Sequence, residues 1–158
     1  GKGDGGTAGG STDCTSAPAL VVGSNAFNTS SSTLSVSVPA GAGCSSHTIY
    51  KANWFTFVAP TTGSYTFATC DSTSWDSRLA LFTACPSSGG TLLACNDDSC
   101  ALQSQITVPL NQGSTYRLVV GGYGASNAGA GDVTVAESGS GGGGGGWNPW
   151  LRRRDYEQ

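Results

Sequence analysis

Methionine is absent from this 158-residue chain, histidine occurs once, at His47, and only 11% of the residues are charged. A lone imidazole leaves no partner for a zinc site built on histidines. It also leaves a Ser/His catalytic arrangement without a second base to choose from, and no GxSxG elbow surrounds any of the many serines. No apolar run approaches the ~20 residues that a membrane-crossing helix needs. Helical periodicity is missing throughout, and charges are scarce where Val, Thr, Leu, Tyr and Phe are prominent, which favours strands. Residues 1 to 140 hold four basic and eight acidic groups, a net of minus four. That sign disfavours nucleic acid and acidic membranes as partners.

What the chain does have is cysteine, six in all. An even set in a small Ser/Thr/Gly-rich chain points to an oxidising compartment and disulfides. The zinc alternative wants CxxC pairs, and the spacing at CNDDSC does not supply them. The polar opening, with no signal-like apolar core, reads as a mature secreted polypeptide whose leader has been removed. Six cysteines allow fifteen pairings. Chain geometry favours Cys85 with Cys95 across the turn PSSGGT and Cys70 with Cys100 at one end of the fold, leaving Cys14 for Cys44.

Four of the six cysteines fall between Cys70 and Cys100, a stretch that also carries the apolar runs RLALF and TLLA on either side of a Pro/Ser/Gly turn. It predicts a disulfide-stapled hairpin around which other strands assemble. TLSVSV, Thr33 to Val38, alternates with period two, and NWFTFVA, Asn53 to Ala59, is apolar on both faces, as a strand covered on both sides would be. The turn PTTG then predicts a hairpin with SYTFATC. SQITVPL, TYRLVVGGY and DVTVA supply further strands, and Leu20 to Val22 a short one before a Ser/Asn-rich loop. Eight or nine strands with turn signals between them predict an all-β, jelly-roll-like antiparallel sandwich. The domain boundaries read as a flexible segment 1–13, the sandwich 14–138, a glycine-rich linker 139–146 and a terminal peptide 147–158.

The ordered motifs NWFTFVAPTTGSYTFATC, WDSRLALF, LLACNDDSC, SQITVPLNQGSTYRLVVGGYG and GAGDVTV together resemble the bacterial pre-peptidase C-terminal (PPC) domain in its cysteine-containing secreted version. The resemblance covers about residues 14 to 136. It implies a secreted jelly-roll sandwich, an accessory module with no catalytic residues.

Asp71, Asp76, Asn96, Asp97 and Asp98 gather oxygen ligands around the central hairpin. Calcium takes six to eight such oxygens, whereas capping of turns and strand ends uses the same side chains singly. The absence of DxDxDG spacing favours capping, and no other cofactor is expected. Arg78, two residues after Asp76, is placed to pair with one of these carboxylates. Catalysis at His47 is not expected, since a triad needs a base held by an orienting acid.

The last residues form an aromatic and cationic peptide, with Trp147, Pro149, Trp150, Leu151, Arg152, Arg153, Arg154 and Tyr156 hung on six glycines. Such a tether has a reach of roughly 14 Å. An acidic body joined to a basic, aromatic end predicts a non-enzymatic extracellular subunit that self-assembles into a filament or surface layer, its tail contacting a neighbouring copy. The alternative is a carbohydrate- or collagen-binding accessory module of a secreted hydrolase, with Trp75 and Tyr123 exposed near loop tips as contacts.

Overall fold

The computed structural model describes residues 10–70, 75–96 and 103–137. Among them nine strands form two antiparallel sheets packed as a sandwich. They are β1 (Gly23–Asn28), β2 (Val36–Val38), β3 (His47–Val58), β4 (Gly63–Ala68), β5 (Ser77–Phe82), β6 (Leu92–Asn96), β7 (Gln105–Leu110), β8 (Thr115–Gly122) and β9 (Ala130–Glu137). One sheet has the order β1-β9-β4-β7 and the other β2-β3-β8-β5-β6.

Alternation explains the main core. Phe55 and Phe57 of β3, Tyr65 and Phe67 of β4, Leu79 and Leu81 of β5, and Leu118 and Val120 of β8 all point between the sheets and are buried. Phe57 meets Tyr65 and Phe67 edge-on, with ring centroids 5.4 and 5.3 Å apart. These contacts cross the sandwich, which corrects the expected PTTG hairpin. β3 and β4 belong to different sheets and face each other, because each carries two large aromatics on one face that are buried best against an opposing sheet. Only β2–β3 and β5–β6 are neighbours in sequence that also pair in one sheet.

The expected strand at Leu20 to Val22 is also displaced. The strand is the Ser/Asn-rich segment after it, β1, which pairs along its length with β9. Phe27 is the one side chain of β1 that is buried, and Asn25 Nδ2 donates to the carbonyls of Val21, Gly23 and Val133. An edge strand held by one aromatic and an asparagine network has no alternation to read. The N-terminal segment expected to be free through residue 13 is engaged from Ser11, whose backbone exchanges hydrogen bonds with Trp54.

A second core lies on the outer face of the five-stranded sheet. Trp54, Ala80, Phe82 and Val119 point away from the sandwich centre yet are buried. Two segments cover them. Residues 11–20 run along the exposed edge of β3 and put a 3-10 turn, Cys14–Ser16, over the sheet, where Cys14 is bonded to Cys85. Arg117 Nη1 fixes this turn by donating to the Cys14 carbonyl at 2.8 Å and to Thr56 Oγ1 at 2.6 Å. The second is the segment leading into β2, where Leu34 packs on this core, and the β2–β3 connection that follows is bonded to β6 through Cys44–Cys95. β3 is thus buried on both faces, as its pattern predicts.

These bonds replace the expected Cys14–Cys44 and Cys85–Cys95 pairs. Cys95 stands opposite Ala80, and Cys85 lies five residues beyond Ala80 in the hairpin turn. At ~3.3 Å per residue the two are roughly 15 Å apart, far outside disulfide reach. Each hairpin cysteine instead secures one covering segment. Cys70 is also disulfide-bonded; Cys100, its expected partner, lies outside the described residues.

Candidate functional site

The connections β2–β3, β4–β5 and β8–β9 gather at one end of the sandwich, where β1, β4, β6 and β8 finish and β3, β5, β7 and β9 begin. Three side chains buried there tie strands and loops together. Thr69 Oγ1 and Ser77 Oγ are 2.7 Å apart, and Ser104 Oγ donates to the Ser77 carbonyl at 2.5 Å and the Asn96 carbonyl at 3.1 Å. A polar network of this kind, fully buried, holds the base of the end rigid. In a sequence crowded with Ser and Thr, nothing marked these three.

Above that base, the β2–β3 connection crosses the outer face of the five-stranded sheet. It starts at one edge of the sheet, and Cys44 is bonded to β6 at the other, roughly 14 Å from β3 at ordinary strand spacing. Its tight turn places Ala42 at φ 53° and Gly43 at φ 82°, with Gly41 and Cys44 exchanging backbone hydrogen bonds. Two successive left-handed residues are what a type I′ turn demands, and glycine supplies one without strain. In the sheet itself Gly121 of β8 makes room for β3: a Cβ there would meet Ile49 Cγ2 and the Tyr50 carbonyl, each at 2.5 Å.

A cleft of about 480 Å³ opens beside this strap, between Cys44, Ser45 and His47 on one side and Arg78, Cys95 and Asn96 on the other. A second, of about 460 Å³, lies along Ser37, Pro39 and Thr48 and shares Ser46 and His47 with the first. His47 Nδ1 is 2.8 Å from the Ser45 carbonyl. A carbonyl only accepts, so Nδ1 carries a proton directed at it. Nε2 is buried without a hydrogen-bond partner.

Arg78 meets other groups besides any carboxylate. Its Nη1 donates to the Thr48 carbonyl at 2.6 Å, and its guanidinium carbon lies 4.4 Å from the centre of the Tyr123 ring. Tyr123 is 53% exposed, the one large aromatic on open display at this end among the described residues. Trp75, expected to be exposed, is half-buried: it packs edge-on against Phe27 at 6.0 Å, and its Nε1 donates to the Ala130 carbonyl. It plugs the β8–β9 connection instead of offering a face to a ligand.

Of the acidic set, Asp71, Asp97 and Asp98 lie outside the described residues. Asn96 Oδ1 accepts from the Gln105 amide at 3.2 Å, a strand-end cap, and the Asp76 carbonyl accepts from the Tyr123 amide. Among the described residues no three His, Cys, Asp or Glu side chains come together as a metal site would need. The tail residues Trp147, Pro149, Trp150, Leu151, Arg152 to Arg154 and Tyr156 also lie outside the described residues.

A family model described as galactose binding domain-like, associated with T9SS, matches residues 11–133. The chain belongs to that family. No curated protein and no solved structure matches it. The galactose binding domain-like assignment replaces the resemblance to the PPC domain. The motifs that carried that resemblance consist of alternating strands and Pro/Gly turns, features set by sandwich packing that sandwiches of separate families have in common. The family's association with T9SS secretion and the disulfides make the galactose binding domain-like chain a secreted protein. Among the described residues no helix is long and apolar enough to cross a membrane.

Proposed function

We propose that this chain is a carbohydrate-binding module, non-enzymatic and acting as an accessory to a secreted hydrolase, with the sugar seated in the cleft between the Cys44 strap and the Arg78–Tyr123 pair. The observation that carries this reading is the composition of that cleft in a chain of galactose binding domain-like ancestry. Serine hydroxyls and an asparagine amide offer donors and acceptors within one small-molecule-sized space. Beside them the Tyr123 ring is exposed and held in orientation by the guanidinium on one face. A sugar ring presents hydroxyls at its rim and C–H groups on its faces, and the site offers a partner for each.

Binding is favoured over catalysis by the setting of His47. Its orienting partner is a backbone carbonyl, and a carbonyl cannot stabilise an imidazolium as a buried carboxylate does. The self-assembly reading rests on residues 147–158 and draws no support from the described part of the molecule.

The test is electrophoresis through native gels cast with galactan, xylan, mannan or β-glucan, with adhesion to collagen measured in parallel. Retardation by at least one neutral polysaccharide is expected. Free migration in all of them, with or without adhesion to collagen, would overturn the reading.

A further inference from the structure

The two clefts meet at Ser46 and His47, and this junction bears on what kind of carbohydrate the site takes. We infer that the ligand is an internal stretch of a neutral glycan chain, lying across the strap from the Arg78–Asn96 side to the β2 edge, instead of a single terminal sugar. The inference rests on the carbohydrate-binding reading above and goes beyond it in naming the substrate class.

Three observations carry it. Each cleft alone, at about 480 and 460 Å³, is the size of a small-molecule site, so the pair offers room for several sugar rings. A terminal sugar would fill one and leave the other unused. Both clefts are open troughs, and an open trough lets a polymer enter at one end and continue past the other, whereas an enclosed pocket admits only a chain end. Apart from the Arg78 guanidinium, which is held by the Thr48 carbonyl and the Tyr123 face, the polar groups along the path are uncharged: Ser37, Ser46 and Thr48 hydroxyls and the Asn96 amide. Residues 1 to 140 carry a net charge of minus four, a field that opposes uronate-rich or sulfated chains.

The experiment is calorimetric titration of the full chain with oligosaccharides of one to six units prepared from whichever of galactan, xylan, mannan or β-glucan retards it most. Affinity should rise by about tenfold or more between one and four units and then level off. Ser37→Arg, which places a long side chain in the β2-edge cleft from an exposed position, should lose that gain, so that the longest ligands bind about tenfold more weakly than to the unaltered chain. Thr107→Arg, on the outer face of the other sheet, should leave every affinity as it was. Equal affinity for one and six units, or an undiminished gain in Ser37→Arg, would overturn the inference while leaving the carbohydrate reading intact. Tighter binding of polygalacturonate than of any neutral polymer would overturn the neutral assignment. Failure of every sugar to bind would instead remove the reading on which the inference rests.

Discussion

Tyr123 and Ser104 show how differently single residues contribute at the loop end. Tyr123 is 53% exposed and takes part in no core, so Tyr123→Ala should leave the denaturant midpoint nearly unchanged. Glycan affinity should fall by about tenfold, the order that one lost aromatic contact carries. Equal affinity in calorimetry would remove Tyr123 from the site. Ser104 is fully buried and its hydroxyl links carbonyls of two strands, so Ser104→Ala removes that link and should lower stability by about 1–3 kcal/mol in urea titration, with the slope preserved. Asp13 gives a pH dependence. Its carboxylate accepts from the amide and hydroxyl of Thr15, at 3.0 and 2.7 Å, and these bonds hold its pKa below the ordinary carboxylate value. The unfolded chain therefore takes up the proton first. The cap's contribution is present above about pH 4 and is lost as pH falls through the folded value. Thermal melts between pH 5 and 2 should show Asp13→Asn with a shallower decline than the unaltered chain; parallel curves would exclude the cap as a source.

At the scale of elements, the two straps dominate. Closing loops with sequence separations of 71 and 51 residues removes about 4 kcal/mol of unfolded-state entropy each. Paired Cys14→Ala and Cys85→Ala changes should cost roughly that much and expose Trp54, seen as a red shift and faster quenching of its fluorescence; an unshifted spectrum would mean that the 3-10 turn stays docked without its bond. How far these elements can be read in the sequence depends on where their information resides. β7 and β8 announce themselves because Ile106, Val108, Tyr116, Leu118 and Val120 alternate toward one core. β3 announces itself by being apolar on both faces, and the cause of its second buried face is the N-terminal cover and the strap. β1 is silent, since Phe27 alone marks it. The PTTG turn misleads because Pro, Thr and Gly make a reversal equally well within a sheet or between two. The disulfide partners were hidden for a related reason: pairing depends on which face of the sheet Cys95 occupies and on the register that sets it opposite Ala80, neither of which is a local property. The clefts were hidden further still, since one arises where residues 43–47 meet Arg78 and Asn96 across the sheet and the other where residues 37–39 meet residues 46–48.

For the whole molecule, the sandwich core and the outer layer divide the labour. Aromatics between the sheets hold the frame. The strap, bonded at Cys44 to Cys95, turns part of one sheet's outer face into a lined groove at the end where His47, Arg78, Asn96 and Tyr123 come together. On the proposed reading, the secreted galactose binding domain-like module presents its sugar-binding surface on a covalently anchored segment. Mapping of amide shifts by two-dimensional NMR during titration with the retained glycan tests this most directly. The account predicts that shifts cluster at Ser45, Ser46, His47, Asn96 and Tyr123. Shifts confined to the outer face of the β1-β9-β4-β7 sheet, at residues such as Thr66, Thr107 and Thr134, would contradict it.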